Sequence, residues 1–137
     1  MSTVVENIVK DDAAGFPVTI AMPELNPGEK FAGTIITPDG KYRHHLILLP
    51  QEAEENNWQA QMDWASSLGG DLPDRVESAL LFATLRDEFK PDWYWTKDEP
   101  ASDADWAWMQ NFSYGNQYYG LKGSFTRARA VRRLIIR

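Results

Sequence analysis

Four carboxylates, Asp98, Glu99, Asp103 and Asp105, fall within eight residues of the chain. Calcium takes several hard oxygen ligands, so this stretch is a candidate calcium loop. Its spacing is not the regular one of an EF-hand, and a solvated acidic loop accounts for the same residues. Paired acids also serve proton transfer, but nothing identifies a nucleophile to work with them. Cysteine is absent, and Ser66, Ser67 and His44 give no triad signature. No catalytic residue is assigned, and no cofactor is expected. His44 and His45 are neighbours on a strand, so they face opposite sides and cannot easily share a metal ion. A structural histidine is the better reading of each.

Recognition chemistry is richer. Tyr114, Asn116, Tyr118 and Tyr119, with Trp106 or Trp108, are the residue types of a binding surface. Tyrosine and tryptophan give rigid amphipathic contact, and asparagine adds adaptable hydrogen bonds. With Lys97, Asp98, Glu99 and Asp103 they make the candidate partner-binding set. Alternation along strands divides such residues between core and surface. The expectation is that Trp93, Trp95, Trp106 and Trp108 are mostly buried and that the Tyr114–Tyr119 turn is partly exposed.

The elements that position these residues follow from pattern. Thr3 to Val9 and Phe16 to Met22 read as short strands of an N-terminal arm, residues 1–32. Gly33 to Thr37 and Lys41 to Leu49 flank Pro38-Asp39-Gly40, a hairpin whose proline fixes one torsion and whose glycine supplies a positive one. Pro50 to Leu68 reads as a helix with Glu52, Glu54 and Glu55 in its first turns, where the helix dipole favours acids. Trp58, Met62, Ala65 and Leu68 would face the core, and Gly69-Gly70 would stop it. A second helix spans about Asp74 to Phe89, with Asp74 and Glu77 spaced as a capping box. Val76, Leu80, Leu81, Ala83 and Leu85 give it a broad apolar face. Short aromatic strands follow, with Tyr114-Gly115-Asn116 as a turn.

Composition bounds the rest. At 137 residues, with 43% hydrophobic and 12% aromatic residues, the chain suits one globular core. The absence of cysteine excludes a disulfide scaffold and a thiolate zinc site. MSTVVENIVKDD carries no basic start before an apolar run, so a cytoplasmic location is expected, the host cytoplasm if a phage encodes the chain. No apolar run nears the ~20 residues of a membrane helix. The net charge of −6 is uneven: from Asn111 onward six basic residues (Lys122, Arg127, Arg129, Arg132, Arg133, Arg137) meet no acidic ones, and all 20 acids lie before them. Those cations either form a face for a polyanion or pair with acids elsewhere in the fold. The overall negative charge favours pairing and disfavours nucleic acid.

The run WASSLGGDLPDRVESALLFATL, the strand Trp93-Tyr94-Trp95-Thr96, the Trp106 to Phe112 segment with Asn116-Gln117, and the ending Arg127-Ala128-Arg129-Ala130-Val131-Arg132 resemble a bacterial and prophage domain family. That family is related to the C-terminal domain of the bacterial collagen-like adhesin and has a C-type-lectin-like fold. The resemblance covers roughly residues 33–137. It implies an α+β domain, a twisted antiparallel sheet flanked by two helices, with a long loop region carrying the ligand site. Departures are also visible. Glu99-Pro100-Ala101 stands where a calcium-dependent sugar lectin has a Glu-Pro-Asn type triplet, and Trp106-Ala107 replaces a Trp-Asn-Asp type strand. Formylglycine-generating activity, found on this fold, requires cysteines that this chain lacks.

Three functions are compatible. The first is a non-enzymatic binding protein of phage or prophage type, holding a protein or glycan partner with the loops between Lys97 and Ser124. The second is an intracellular phage effector that inhibits a host defence or regulatory protein, suggested by small size, acidity and the missing export signal. The third is an enzyme with an acidic site, which requires a deep pocket near Asp98 to Asp105. No membrane association is expected. Self-association is compatible, because an apolar strand such as Phe16 to Met22 needs a neighbour.

Overall fold

Pro38-Asp39-Gly40 does turn the chain. Gly40 adopts φ 71°, and the Asp39 carboxylate accepts from the Thr37 hydroxyl at 2.6 Å and the Lys41 N–H at 3.0 Å. This turn joins β3 (Lys30–Ile36) to β4 (Arg43–Glu52). The computed structural model describes residues 6–10 and 17–137. Thr3 to Val5 and Phe16, the starts of the two expected arm strands, lie outside the described residues. Within them, β1 (Glu6–Lys10) and β2 (Pro17–Ala21) pair antiparallel as a two-stranded ribbon.

The remaining elements are α1 (Trp58–Ser67), α2 (Arg75–Leu85) running into a 3₁₀ turn (Arg86–Glu88), β5 (Trp93–Trp95), β6 (Trp106–Asn111), β7 (Gln117–Leu121) and β8 (Arg129–Ile135). The fold is α+β. Beyond the β1–β2 ribbon, the described strands divide between two antiparallel three-stranded sheets, ordered β3-β4-β8 and β5-β6-β7, where the sequence pattern predicts a single one. Bridges Asn56↔Thr126 and Tyr94↔Arg127 join the segments between them, and Asp71↔Val131 ties the loop before α2 to β8. Among the described residues no helix is long and apolar enough to cross a membrane.

The first helix is shorter than its acidic lead-in suggests. Asn57 caps it, accepting from the Ala60 N–H at 2.9 Å, and the chain before it stays extended because Glu52 still pairs with Arg129. Glu52, Glu54 and Glu55 therefore precede the helix. The Glu52 carboxylate accepts from the Tyr94 hydroxyl at 3.0 Å. In α2 the capping box forms as expected: Asp74 accepts from the Glu77 N–H at 2.7 Å and Glu77 from the Asp74 N–H at 2.8 Å. The apolar stripe of α2 is narrower than expected. Leu81 is fully buried, Leu80 and Leu85 are half-buried, and Val76 and Ala83 are exposed.

Among the described residues, two apolar clusters form the core. One gathers Leu49, Trp58, Ala65, Leu72 and Trp95 around Ala107, Ala128 and Ala130. The small alanines leave room for two indoles, whose N–H groups donate to the carbonyls of Thr96 (from Trp58, 2.9 Å) and Asn56 (from Trp95, 3.2 Å). The other gathers Leu46, Leu48, Leu81, Tyr94 and Val131 around Phe89 and Phe112, stacked at 3.9 Å. Burial, with the charge and hydrogen bond of Glu52, pushes the Tyr94 phenol up to about 12, against the Lys90 N–H and the Arg127 charge.

The C-terminal cations find acids within the fold. Arg127 pairs with Asp92 at 2.9 Å and Glu55 at 3.3 Å, and Arg132 holds both oxygens of Glu29 at 2.8 Å. Lys122 pairs with Glu99. Arg129 instead donates to the carbonyls of Glu88 at 2.6 Å and Leu49 at 2.9 Å.

Arg133 also pairs with Glu77, whose carboxylate is 0% exposed. Nε and Nη2 of Arg133 donate to the two Glu77 oxygens at 2.6 and 2.7 Å, and Nη1 reaches Asp71 at 2.8 Å. His44 Nε2 lies 2.8 Å from Glu77 Oε2. Burial pushes the Glu77 carboxyl up, but the Arg133 hydrogen bonds and charge, with the helix-cap N–H and His44, hold it below its ordinary 4.5. A carboxyl so depressed contributes stability above its unfolded value, and that contribution is lost as pH falls through the folded one. Arg133→Met should therefore cost about 3–5 kcal/mol at neutral pH, by leaving the carboxylate buried without its cation. In urea titrations across pH, the gap between wild type and variant should narrow below roughly pH 4.5. A gap that is constant with pH would show that the pair is not the cause.

Candidate functional site

Strands β6 and β7 carry an aromatic platform because their registers place rings side by side. Trp108 lies opposite Tyr119, and Met109 opposite Tyr118. Both indoles meet Tyr119 edge-on, Trp106 with centroids 5.6 Å apart and Trp108 at 5.1 Å, while Tyr118 stacks on Tyr119 at 4.9 Å. All four tryptophans after residue 90 are mostly buried, as expected: Trp95 is fully enclosed, and Trp93, Trp106 and Trp108 keep a minor part of their surface exposed. Tyr118 and Tyr119 are 59% and 37% exposed.

The hairpin turns at Gly115, with φ 84°. Asn111 closes it by accepting through its side chain from the N–H groups of Ser113 at 2.7 Å and Tyr114 at 3.2 Å. Gln110, almost fully buried beneath the turn, donates to the Gly115 carbonyl at 3.0 Å.

The acidic loop lies across the platform. Thr96 and Trp108 hold its start, with the Thr96 N–H donating to the Trp108 carbonyl at 2.9 Å and the Trp108 N–H to the Asp98 carbonyl at 2.8 Å. Its far end is closed by Lys122 N–H donating to the Asp105 carbonyl at 2.9 Å. Between loop and platform runs an open groove of about 850 Å³. Asp98, Glu99 and the Pro100–Asp103 turn form one wall, and Trp106, Trp108, Tyr118 and Tyr119 form the other.

The end of the groove is set by α2. Arg75, the first helical residue, donates its N–H to Asp98 Oδ2 at 2.8 Å. Its guanidinium sits 3.6 Å from the centre of the Trp108 ring and donates through Nε to Gln117 at 2.9 Å. Gln117 returns a bond to the Arg75 carbonyl at 2.7 Å and another to Gln110 at 2.8 Å. The neighbouring Asp74 carboxyl is raised by burial and by the charges of Glu77 and Asp98, against the Glu77 N–H and the Arg133 charge.

Of the candidate binding set, Asp98, Glu99, Asp103, Tyr118 and Tyr119 line the groove. Lys97 does not, because its ammonium pairs with Asp71 at 3.3 Å. Tyr114, 86% exposed, and Asn116 sit on the turn at the other end of the β6–β7 hairpin, outside the groove lining. The calcium arrangement is not assembled. Asp98 is turned to the Arg75 N–H, Glu99 to Lys122 and Asp103 to the Asp105 N–H, and among the described residues no group of three or more acids or histidines is placed to hold a metal ion. Arg75 escaped the sequence reading. Its one signal was its place immediately after the capping-box Asp74.

No protein-family model matches the chain, and no curated protein matches it.

The platform depends on the Gly115 turn. A Cβ there would lie 2.5 Å from Phe82 Cε2, in addition to the positive φ. Gly115→Ala should cost about 1–3 kcal/mol or more in thermal unfolding. An unchanged melting temperature would mean that the turn is not held as described.

Proposed function

We propose that the chain is a non-enzymatic binding protein of phage or prophage type. On this reading a C-type-lectin-like domain holds a protein partner in the groove between the Asp98–Asp103 loop and the Trp106/Tyr119 platform. The supporting observation is the groove itself: an open cleft of about 850 Å³ whose wall presents indole and phenol faces to solvent. Exposed tyrosine and tryptophan beside a polar loop are the composition of recognition surfaces, where aromatic anchors carry most of the binding energy.

The C-type-lectin-like assignment is supported by the order of elements. A strand hairpin precedes two helices, a loop-rich second sheet follows, and the last strand, β8, returns beside β4. The function we infer is carried out in the cytoplasm, where a host protein would be the partner and the domain would act as an effector. A glycan is the second occupant that such faces suit. Self-association of the domain is compatible with this reading.

The test is affinity capture from bacterial lysate with the wild-type chain, the double variant Trp106→Ala/Tyr119→Ala, and Tyr114→Ala, each with and without a chelator. A partner retained by wild type and Tyr114→Ala, lost at least about tenfold by the double variant and indifferent to the chelator, is the expected result; truncating two anchors costs a few kcal/mol. A partner held equally by all three forms would place binding elsewhere on the surface.

A further inference from the structure

We propose that the groove recognises an arginine guanidinium on an exposed basic segment of its partner, stacked on the Trp106 side of the platform and hydrogen-bonded to the loop carboxylates. This deepens the reading of the groove as a binding site and rests on it. The first argument is charge. Glu99 is matched by Lys122, and Arg75 offsets one of the two remaining lining carboxylates, Asp98 and Asp103. Asp105, adjoining the lining, adds a further negative charge. Among the described residues none of Asp98, Asp103 and Asp105 has an ion-pair partner. The contrast with the rest of the fold is instructive, because Glu29, Asp71, Glu77 and Asp92 are all paired with arginines. An anionic ligand would be repelled, and a neutral one would leave these charges uncompensated.

The second argument is geometry. The platform already accepts one guanidinium, since Arg75 places its central carbon over the Trp108 ring, 3.6 Å from its centre. That cation is committed to Trp108 and Gln117. Trp106, also packed edge-on against Tyr119, lines the same groove beside Asp103 and has no such cation over its ring among the described residues. A planar guanidinium can stack on an indole while its edge donates to carboxylates, which a lysine ammonium cannot do in the same way.

The experiment is an NMR titration of the ¹⁵N-labelled full chain with the peptide Gly-Arg-Gly-Arg-Gly, its citrulline counterpart of nearly equal shape and no charge, its lysine counterpart, and a neutral oligosaccharide, an N-acetylglucosamine trimer. The arginine peptide should shift the Trp106 indole N–H saturably, and the citrulline peptide should bind at least about tenfold more weakly, the loss expected for a charge-assisted bond. Added salt should weaken the arginine peptide, because the rim charges are exposed. Asp103→Asn, an exposed substitution checked for folding by its unshifted amide spectrum, should do the same. Equal binding of arginine and citrulline peptides, a preference for lysine, or a response to the sugar alone would overturn the inference. If the peptides fail while the captured partner is still lost by Trp106→Ala/Tyr119→Ala, only the guanidinium assignment falls. If that partner is also retained, the groove reading falls with it.

Discussion

One buried carboxylate organises this molecule. Glu77 has no exposure, and it is tolerated only because Arg133 meets both its oxygens while His44 and the Asp74 N–H complete its bonding. A buried ion pair adds little net stability over an apolar alternative, but losing either partner is expensive. The pair is therefore better understood as a constraint on geometry. It draws α2, β8 and β4 to one point, and Asp71, bonded to the same guanidinium, adds the loop before α2.

The consequence reaches the groove through two residues of sequence. Glu77 is the third residue of α2, and Arg75 is the first. With the capping box closed and Glu77 fixed, the helix start has one position, and from there Arg75 meets Asp98, Gln117 and the face of Trp108. Backbone bonds already hold the acidic loop to the aromatic strands, and the hydrogen bonds of Arg75 register the helix against both. A site of this kind is preformed, so a ligand need not spend binding energy on ordering it.

What the sequence revealed was local. The Pro38–Gly40 turn, the Asp74/Glu77 box and the Gly115 turn each depend on residues a few positions apart, and each formed as expected. Glu77's second role did not show, because its partners His44 and Arg133 lie 33 and 56 residues away. The start of α1 was misread for a related reason: acids before a helix suit its dipole, yet Glu52 was already engaged with Arg129 in the ladder of β4 and β8. Period-two alternation placed Trp106 and Trp108 on the parity of Gln110 and Phe112, but could not say that only the latter two are almost fully buried. Tyr114 and Asn116 shared the composition of a binding surface with Tyr118 and Tyr119. They do not line the groove, because strand residues advance about 3.3 Å each, which carries the turn away from the loop. The pairing of Arg127, Arg132 and Arg133 with distant acids, in contrast, follows from charge alone, since an acidic chain offers many partners.

The central claim is that the buried Glu77–Arg133 pair fixes the start of α2 and thereby seats Arg75 on Trp108. The most direct measurement is the chemical shift of the Arg75 side-chain protons, compared between the wild-type chain and Glu77→Gln under conditions where both are folded. Seated over the indole, these protons should be shifted upfield by its ring current in the wild type and should relax toward ordinary arginine values in the variant. Ordinary values in the wild type, or an upfield shift that survives unchanged in Glu77→Gln, would contradict the account.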